Sequence, residues 1–137
     1  MIAALGLAVV VALASSARAD DARGTVVSLI QLIADPTSFD GKRVTVTGYV
    51  VLESENTAVY LQETDARYGI TRNAVWLEMP VPDELGRAQF HGRYVRIDGT
   101  FSARRRGHLE LFGGSIERIG RLDVVEPRPG PLPPPSH

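Results

Sequence analysis

The chain has 137 residues, 44% hydrophobic and 23% charged, which suits one globular domain with a buried core and leaves little for a second. Its formal net charge is −1, and without Arg18 it is −2, with 14 basic against 16 acidic residues, so the overall basic footprint of a protein that grips phosphate backbones is missing. A cysteine count of 0 excludes disulfides, thiolate catalysis, cysteine-ligated metal and lipid attachment through an N-terminal cysteine.

Residues 1–19 have the form of an export signal. Met1 to Ala14 is almost wholly apolar, and Ser15-Ser16-Ala17-Arg18-Ala19 puts small residues at both flanking positions of an Ala-x-Ala cleavage site. Cleavage is expected after Ala19, with the mature chain in the periplasm or outside the cell. The basic residue that usually precedes such a run is missing, which a start codon assigned too late would explain. The competing reading is an uncleaved membrane anchor, but the run is shorter than the roughly 20 residues that span a bilayer, so no transmembrane span is expected to remain after cleavage.

Residues 20–27 read as a polar lead-in. Ser28 suits the N-cap of a short helix in which Leu29, Leu32 and Ile33 recur at helical spacing. Pro36 stops that helix, because the residue before a proline is pushed out of the helical region. Two turns are stable only when docked, so the helix should plug one end of the domain. Asp40-Gly41 then turns into a first strand running to Leu52. Val44, Val46, Val50 and Leu52 share its inward parity, Thr45, Thr47, Tyr49 and Val51 the other, and Gly48 marks a bulge or sharp coil.

After a turn at residues 53–56, a second strand is expected over Thr57–Gln62, with Val59 and Leu61 inward and Ala58, Tyr60 and Gln62 outward. A polar loop from Glu63 to Arg72 leads to a third strand over Ala74–Glu78, with Val75 and Leu77 inward and Trp76 and Glu78 outward. Pro82 suits the first position of a helix running to about Gln89, with Asp83 and Glu84 in its first turn. A fourth strand from Gly92 points Val95, Ile97 and Phe101 inward and Tyr94, Arg96 and Asp98 outward. Arg104-Arg105-Arg106 forms a hairpin tip, and a fifth strand is expected over His108–Ile119, with Leu109 and Leu111 inward and a bend at Gly113-Gly114.

The expected order is three strands, a helix and two strands, with glycines inside strands one, four and five. That order predicts a mainly β domain over residues 28–125: a five-stranded oligonucleotide/oligosaccharide-binding (OB) barrel with a short N-terminal helix and a helix between strands three and four. Residues 126–137 are a proline-rich, solvated tail.

The span from Val27 to Val125 resembles a family of uncharacterised exported bacterial proteins with an OB-like fold. Ser28-Leu29-Ile30-Gln31-Leu32, Asp40-Gly41-Lys42-Arg43-Val44, Tyr60-Leu61, Thr71-Arg72-Asn73-Ala74-Val75-Trp76, Gly92-Arg93-Tyr94-Val95 and Gly107-His108 carry the resemblance. It implies the fold and export. The family carries no assigned activity, so it implies no ligand.

Tyr49, Tyr60 and Trp76, on the outward parity of strands one to three, with Arg96 nearby, form the leading ligand-binding set. In OB folds the outer face of strands two and three stacks rings on bases or sugars. The competing reading is that loops or helices cover these rings as a second small core. Arg104, Arg105, Arg106 and His108 form a weaker anion-binding set, since a hairpin tip rich in arginine is more often simply solvated. His108 and Glu110 fall two apart on the expected fifth strand, compatible with metal ligation but lacking a third ligand, so no metal is assigned. His91 reads as a turn residue, and His137 ends the tail. Glu53, Glu55, Glu63 and Asp65 cluster near one hairpin, and Asn73 caps a turn or holds a loop. With no Gly-x-Ser-x-Gly elbow, phosphate-binding glycine loop or His-Glu-x-x-His, neither catalysis nor a cofactor is expected. The expectation is therefore a binding module for a small ligand, a glycan or an envelope protein. A nucleic-acid-binding OB domain is the alternative, disfavoured by charge and export.

Overall fold

The computed structural model describes residues 23–131; the expected export signal at 1–19, the start of the lead-in and the end of the tail, including His137, lie outside them. The elements are β1 (Thr25–Val26), α1 (Leu29–Ala34), β2 (Arg43–Glu53), β3 (Asn56–Tyr60), α2 (Glu63–Arg67), β4 (Ala74–Leu77), α3 (Glu84–Phe90), β5 (Arg93–Ser102) and β6 (Ser115–Val124). Short 3₁₀ turns lie at Pro36–Phe39, Thr71–Asn73 and His108–Glu110.

Strands dominate and the helices are short. The six strands form one mixed sheet in which hydrogen bonding runs β2–β3–β4–β6–β5 and returns to β2, a five-strand ring. Every pairing in the ring is antiparallel except β4–β6, which is parallel through Trp76↔Ser115 and Leu77↔Ile116. Outside the ring, β1 runs parallel to β2 through Thr25↔Val44 and Val26↔Thr45.

One long strand makes the ring possible. The first part of β2 pairs with β5, from Arg43↔Thr100 to Val50↔Arg93, and its last part pairs with β3, from Tyr49↔Tyr60 to Glu53↔Asn56. Gly48 stands just before Tyr49 and Val50, where those partnerships overlap. A Cβ at Gly48 would lie 2.5 Å from the Tyr60 carbonyl oxygen, 2.6 Å from Val59 Cγ2 and 2.7 Å from Leu29 Cδ1, so the strand tolerates only glycine where it coils against its neighbour. The β5–β6 register also shifts between Asp98 and Thr100, at the interior glycine of β5.

The inward parities of β2 to β5 hold. Val44, Val46, Val50 and Leu52 of β2 meet Val59, Val75 and Leu77, with Val95, Ile97, Phe101 and Ile116 closing one core. Leu29 and Leu32 of α1 enter the same core, so the helix does plug the ring. Its start is a full capping box: the Gln31 N–H donates to Ser28 Oγ at 3.1 Å, and the Ser28 N–H donates to Gln31 Oε1 at 2.8 Å. On α3 the cap is Asp83, whose Oδ1 accepts from the Gly86 N–H at 2.9 Å; Pro82 stands just before the cap rather than inside the helix.

Three expectations are corrected. The lead-in is partly ordered as β1, because the Val27 N–H donates to the Thr45 carbonyl at 3.0 Å and holds the arm along β2. Gln62 does not belong to a strand, since β3 ends at Tyr60. Residues 108–114 are not strand either. The alternation of His108-Leu109-Glu110-Leu111 suggests one, but Ser102↔Ser115 is the last β5–β6 pair, and residues 108–111 have no partner strand; only Gly113 and Gly114 bond to β4, through the Ala74 carbonyl and the Trp76 N–H. They form an arch with left-handed backbone at Leu109 (φ 52) and Glu110 (φ 55), and Leu109 and Leu111 point outward instead of inward. Among the described residues no helix is long and apolar enough to cross a membrane.

Candidate functional site

The outer face of the sheet carries two unlike surfaces. Over β3 and β4, Val51, Ala58, Tyr60, Ala74 and Phe112 form a second buried cluster, with Tyr49, Ala66 and Trp76 packed against it. Phe112 belongs to the 103–114 arch and Ala66 to α2, so two connections fold back over this face. Tyr60 keeps its expected parity but is 0% exposed, and its hydroxyl donates to Asn56 Oδ1 at 2.7 Å. No ligand can stack on it. Trp76 is half-buried with its ring centroid 5.3 Å from that of Phe112, and the Gly107 backbone (φ 68) presses on it so closely that a Cβ there would sit 2.6 Å from Trp76 Cγ. The outward ring set is thus split, with Tyr60 and Trp76 serving the fold.

Burial also acts on the Tyr60 phenol. Loss of hydration raises its pKa above the ordinary 10.0, and the Glu53 carboxylate adds to the rise. Since the folded value is raised, its contribution to stability is complete below the unfolded pKa and is lost as pH climbs toward the folded one. In that alkaline window the unfolded chain releases a proton that the native chain keeps, and stability should fall by up to about 1.4 kcal/mol per pH unit from this group. Urea unfolding between pH 9 and 11 (roughly the phenol range) should show this fall in the parent chain and a shallower one in Tyr60→Phe. Parallel curves would refute it.

The β2–β5–β6 side is polar and open. Cross-strand pairing sets side chains side by side: Tyr49 with Tyr94, Thr47 with Arg96 and then Asp123, Thr45 with Asp98 and then Arg121. Tyr49 and Tyr94 meet edge to face, with centroids 5.5 Å apart and planes at 69°. Arg96 therefore stays near Tyr49, as a diagonal neighbour, and belongs to a different surface from Trp76.

The N-terminal arm overhangs this band. Arg23, Val26, Val27, Ser28 and Gln31 form one wall of an 810 Å³ groove, and Thr45, Thr47, Arg96, Asp98 and Arg121 form its floor. Among the described residues three guanidinium groups thus share it with one carboxylate. That carboxylate is engaged: Asp98 Oδ1 lies 2.6 Å from Thr45 Oγ1, which is also 3.1 Å from the Gly24 carbonyl. Arg121 is paired with Asp123, Nε to Oδ2 at 2.5 Å, but both side chains are solvent-accessible and such a pair contributes little to stability. Arginine forks match carboxylate or phosphate oxygens, and hydroxyls and amides beside them suit a hydroxyl-rich partner.

The remaining candidates scatter. Arg104 and Arg105 are exposed on the arch, with Arg105 Nε 3.3 Å from Glu117 Oε1, while Arg106 Nε donates to the Phe112 carbonyl at 2.9 Å and braces the arch from within. His108 and Glu110 lie on a 3₁₀ turn, so the strand spacing that paired them does not apply; among the described residues no group of three or more acidic or histidine side chains is placed to hold a metal. His91 Nδ1 accepts the Leu52 N–H at 3.0 Å and serves the end of β2. Glu53 and Glu63 border a 290 Å³ depression beside Tyr49, and Glu63 pairs with Arg67 at 2.8 Å. Asp65 is 3% exposed and accepts from Asn73 Nδ2 at 3.2 Å, which assigns Asn73 to holding the loop. Glu55 stays in the β2–β3 turn.

Sequence reading found Arg96 but not the groove, because its wall is the arm taken as lead-in. No family model, curated protein or solved structure matches the chain.

Proposed function

We propose that the chain is an exported, non-catalytic binding module of the bacterial envelope, built on an OB-type barrel, whose ligand is an anionic, hydroxyl-bearing molecule such as an acidic glycan. The barrel reading is supported by the ring order, by the long coiled first strand shared between two neighbours, and by α3 between the third and fourth ring strands. Export rests on the form of residues 1–19. The ligand reading rests on one observation: the 810 Å³ groove sets Arg23, Arg96 and Arg121 around hydroxyl and amide side chains, with the single carboxylate among its described lining residues already bonded to Thr45. The outer face of β3 and β4 is filled by the chain's own Tyr60 and Phe112, which supports a reading that uses the neighbouring face.

Calorimetric titration with a uronic-acid oligosaccharide should detect binding that Arg96→Ala combined with Arg121→Ala weakens at least tenfold, about 1.4 kcal/mol. Trp76→Phe should leave it unchanged. Equal affinity in the arginine double variant would sink the groove as the site. A single-stranded oligonucleotide is the contrasting probe: tighter binding that collapses with salt would favour nucleic acid instead.

A further inference from the structure

The arch between β5 and β6 has a use that the groove does not require. Its base is fixed: Phe112 is 2% exposed, its N–H donates to the Arg106 carbonyl at 3.1 Å, and Arg106 Nε donates to the Phe112 carbonyl at 2.9 Å. Gly107 rests on Trp76. On this base the crest lifts Leu109, 74% exposed, and Leu111, 43% exposed, into solvent. Leu109 (φ 52) and Glu110 (φ 55) are both left-handed, a conformation that disfavours side chains and that persists only where the surroundings impose it. The strain therefore displays leucine instead of burying it. Exposed Arg104 and Arg105 precede the crest, Arg105 with its Nε 3.3 Å from Glu117 Oε1 of β6, and the arch itself carries three arginines, Arg106 turned inward as its brace, against the one carboxylate of Glu110.

We infer that this arch is a membrane-docking surface: the two leucines dip into the interface of an anionic phospholipid bilayer while Arg104 and Arg105 meet its headgroup phosphates. Apolar tips gain by leaving water, and arginines beside them are drawn to an anionic leaflet. Charge also chooses between occupants. A second copy pairing crest to crest about a twofold axis would bring the two arginine sets together, whereas a leaflet of opposite charge complements both features of the arch. Docking leaves the groove free, since the groove lies over β2, β5 and β6 and the arch lies over β4.

The test is flotation of the processed chain, recovered after export with its N-terminus checked by mass, with vesicles of phosphatidylcholine alone or containing phosphatidylglycerol at about 30%. Partitioning should be at least tenfold stronger on the anionic vesicles. Leu109→Ser with Leu111→Ser should lower it at least tenfold, and Arg104→Gln with Arg105→Gln should remove the preference for phosphatidylglycerol. Leu85→Ser, which changes an equally exposed leucine on α3, should have no effect. Thermal unfolding of each variant checks that the fold is intact. Flotation unaffected by the leucine double variant, or no flotation on either vesicle, would overturn the assignment. So would a parent chain that sediments as a dimer and becomes monomeric in the leucine variant.

Discussion

Gly48→Val should cost about 3 kcal/mol or more, read as a fall in the urea midpoint at unchanged slope, a large share of the roughly 5–15 kcal/mol that holds an ordinary domain together. The nearest obstacle to the new side chain is the Tyr60 carbonyl oxygen, 2.5 Å from the Cβ position, and that oxygen belongs to β3, the strand hydrogen-bonded alongside. Backbone cannot rotate away as a side-chain tip can. Relief would require β2 to straighten, which would pull either the β3 or the β5 partnership out of register. Leu29 of α1 is also displaced, so the plug loosens with the ring. Gly48→Ala meets the same oxygen with less bulk and should fall between the parent and the valine variant. A valine variant as stable as the parent would show that the bend at this position is not needed for closure.

Phe112→Ala should cost about 3–5 kcal/mol, the usual range for emptying a buried aromatic site. The consequence goes beyond the cavity, because Phe112 is the arch's anchor on the second cluster. Without it, water reaches Tyr60 and Trp76, and emission from Trp76, the chain's single tryptophan, should shift to longer wavelength under native conditions. The groove is formed by other elements, so the acidic-glycan binding proposed for it should survive at temperatures well below unfolding. Loss of that binding in a folded Phe112→Ala protein would mean that the two outer surfaces act as one.

The residues differ in how openly they declare their places. Val44, Val46, Val50 and Leu52 alternate cleanly because one side of β2 faces the core, and Val95, Ile97 and Phe101 do the same for β5. Gly48 is legible because a glycine weakens a strand interior unless the backbone must coil there or pass close to a neighbour. Tyr60 is harder: periodicity assigns a side chain to a face, but what lies over that face depends on connections distant in sequence, here α2 and the arch. His108 to Leu111 alternate without a partner strand, and alternation by itself cannot reveal that a partner is missing. The groove stays hidden because β1 spans only Thr25–Val26, too short for any period. Part of it is nonetheless in reach. Thr45 and Thr47 share a parity with Tyr49, and Arg96 and Asp98 share one with Tyr94, so a polar outer band over two adjacent strands follows once their pairing is known.

The parallel β4–β6 seam bears on how the chain assembles. Strands β2, β3 and β4 follow one another in sequence and can pair as a meander as soon as they emerge. The first part of β2 must wait for β5, and the ring stays open until Ser115–Val124 arrives to join Trp76 and Leu77. During that interval β4 and β5 each show an unpaired edge, the form of strand most prone to recruit another molecule. A chain that emerges N-terminus first is thus most vulnerable to aggregation just before its last strand is free to pair.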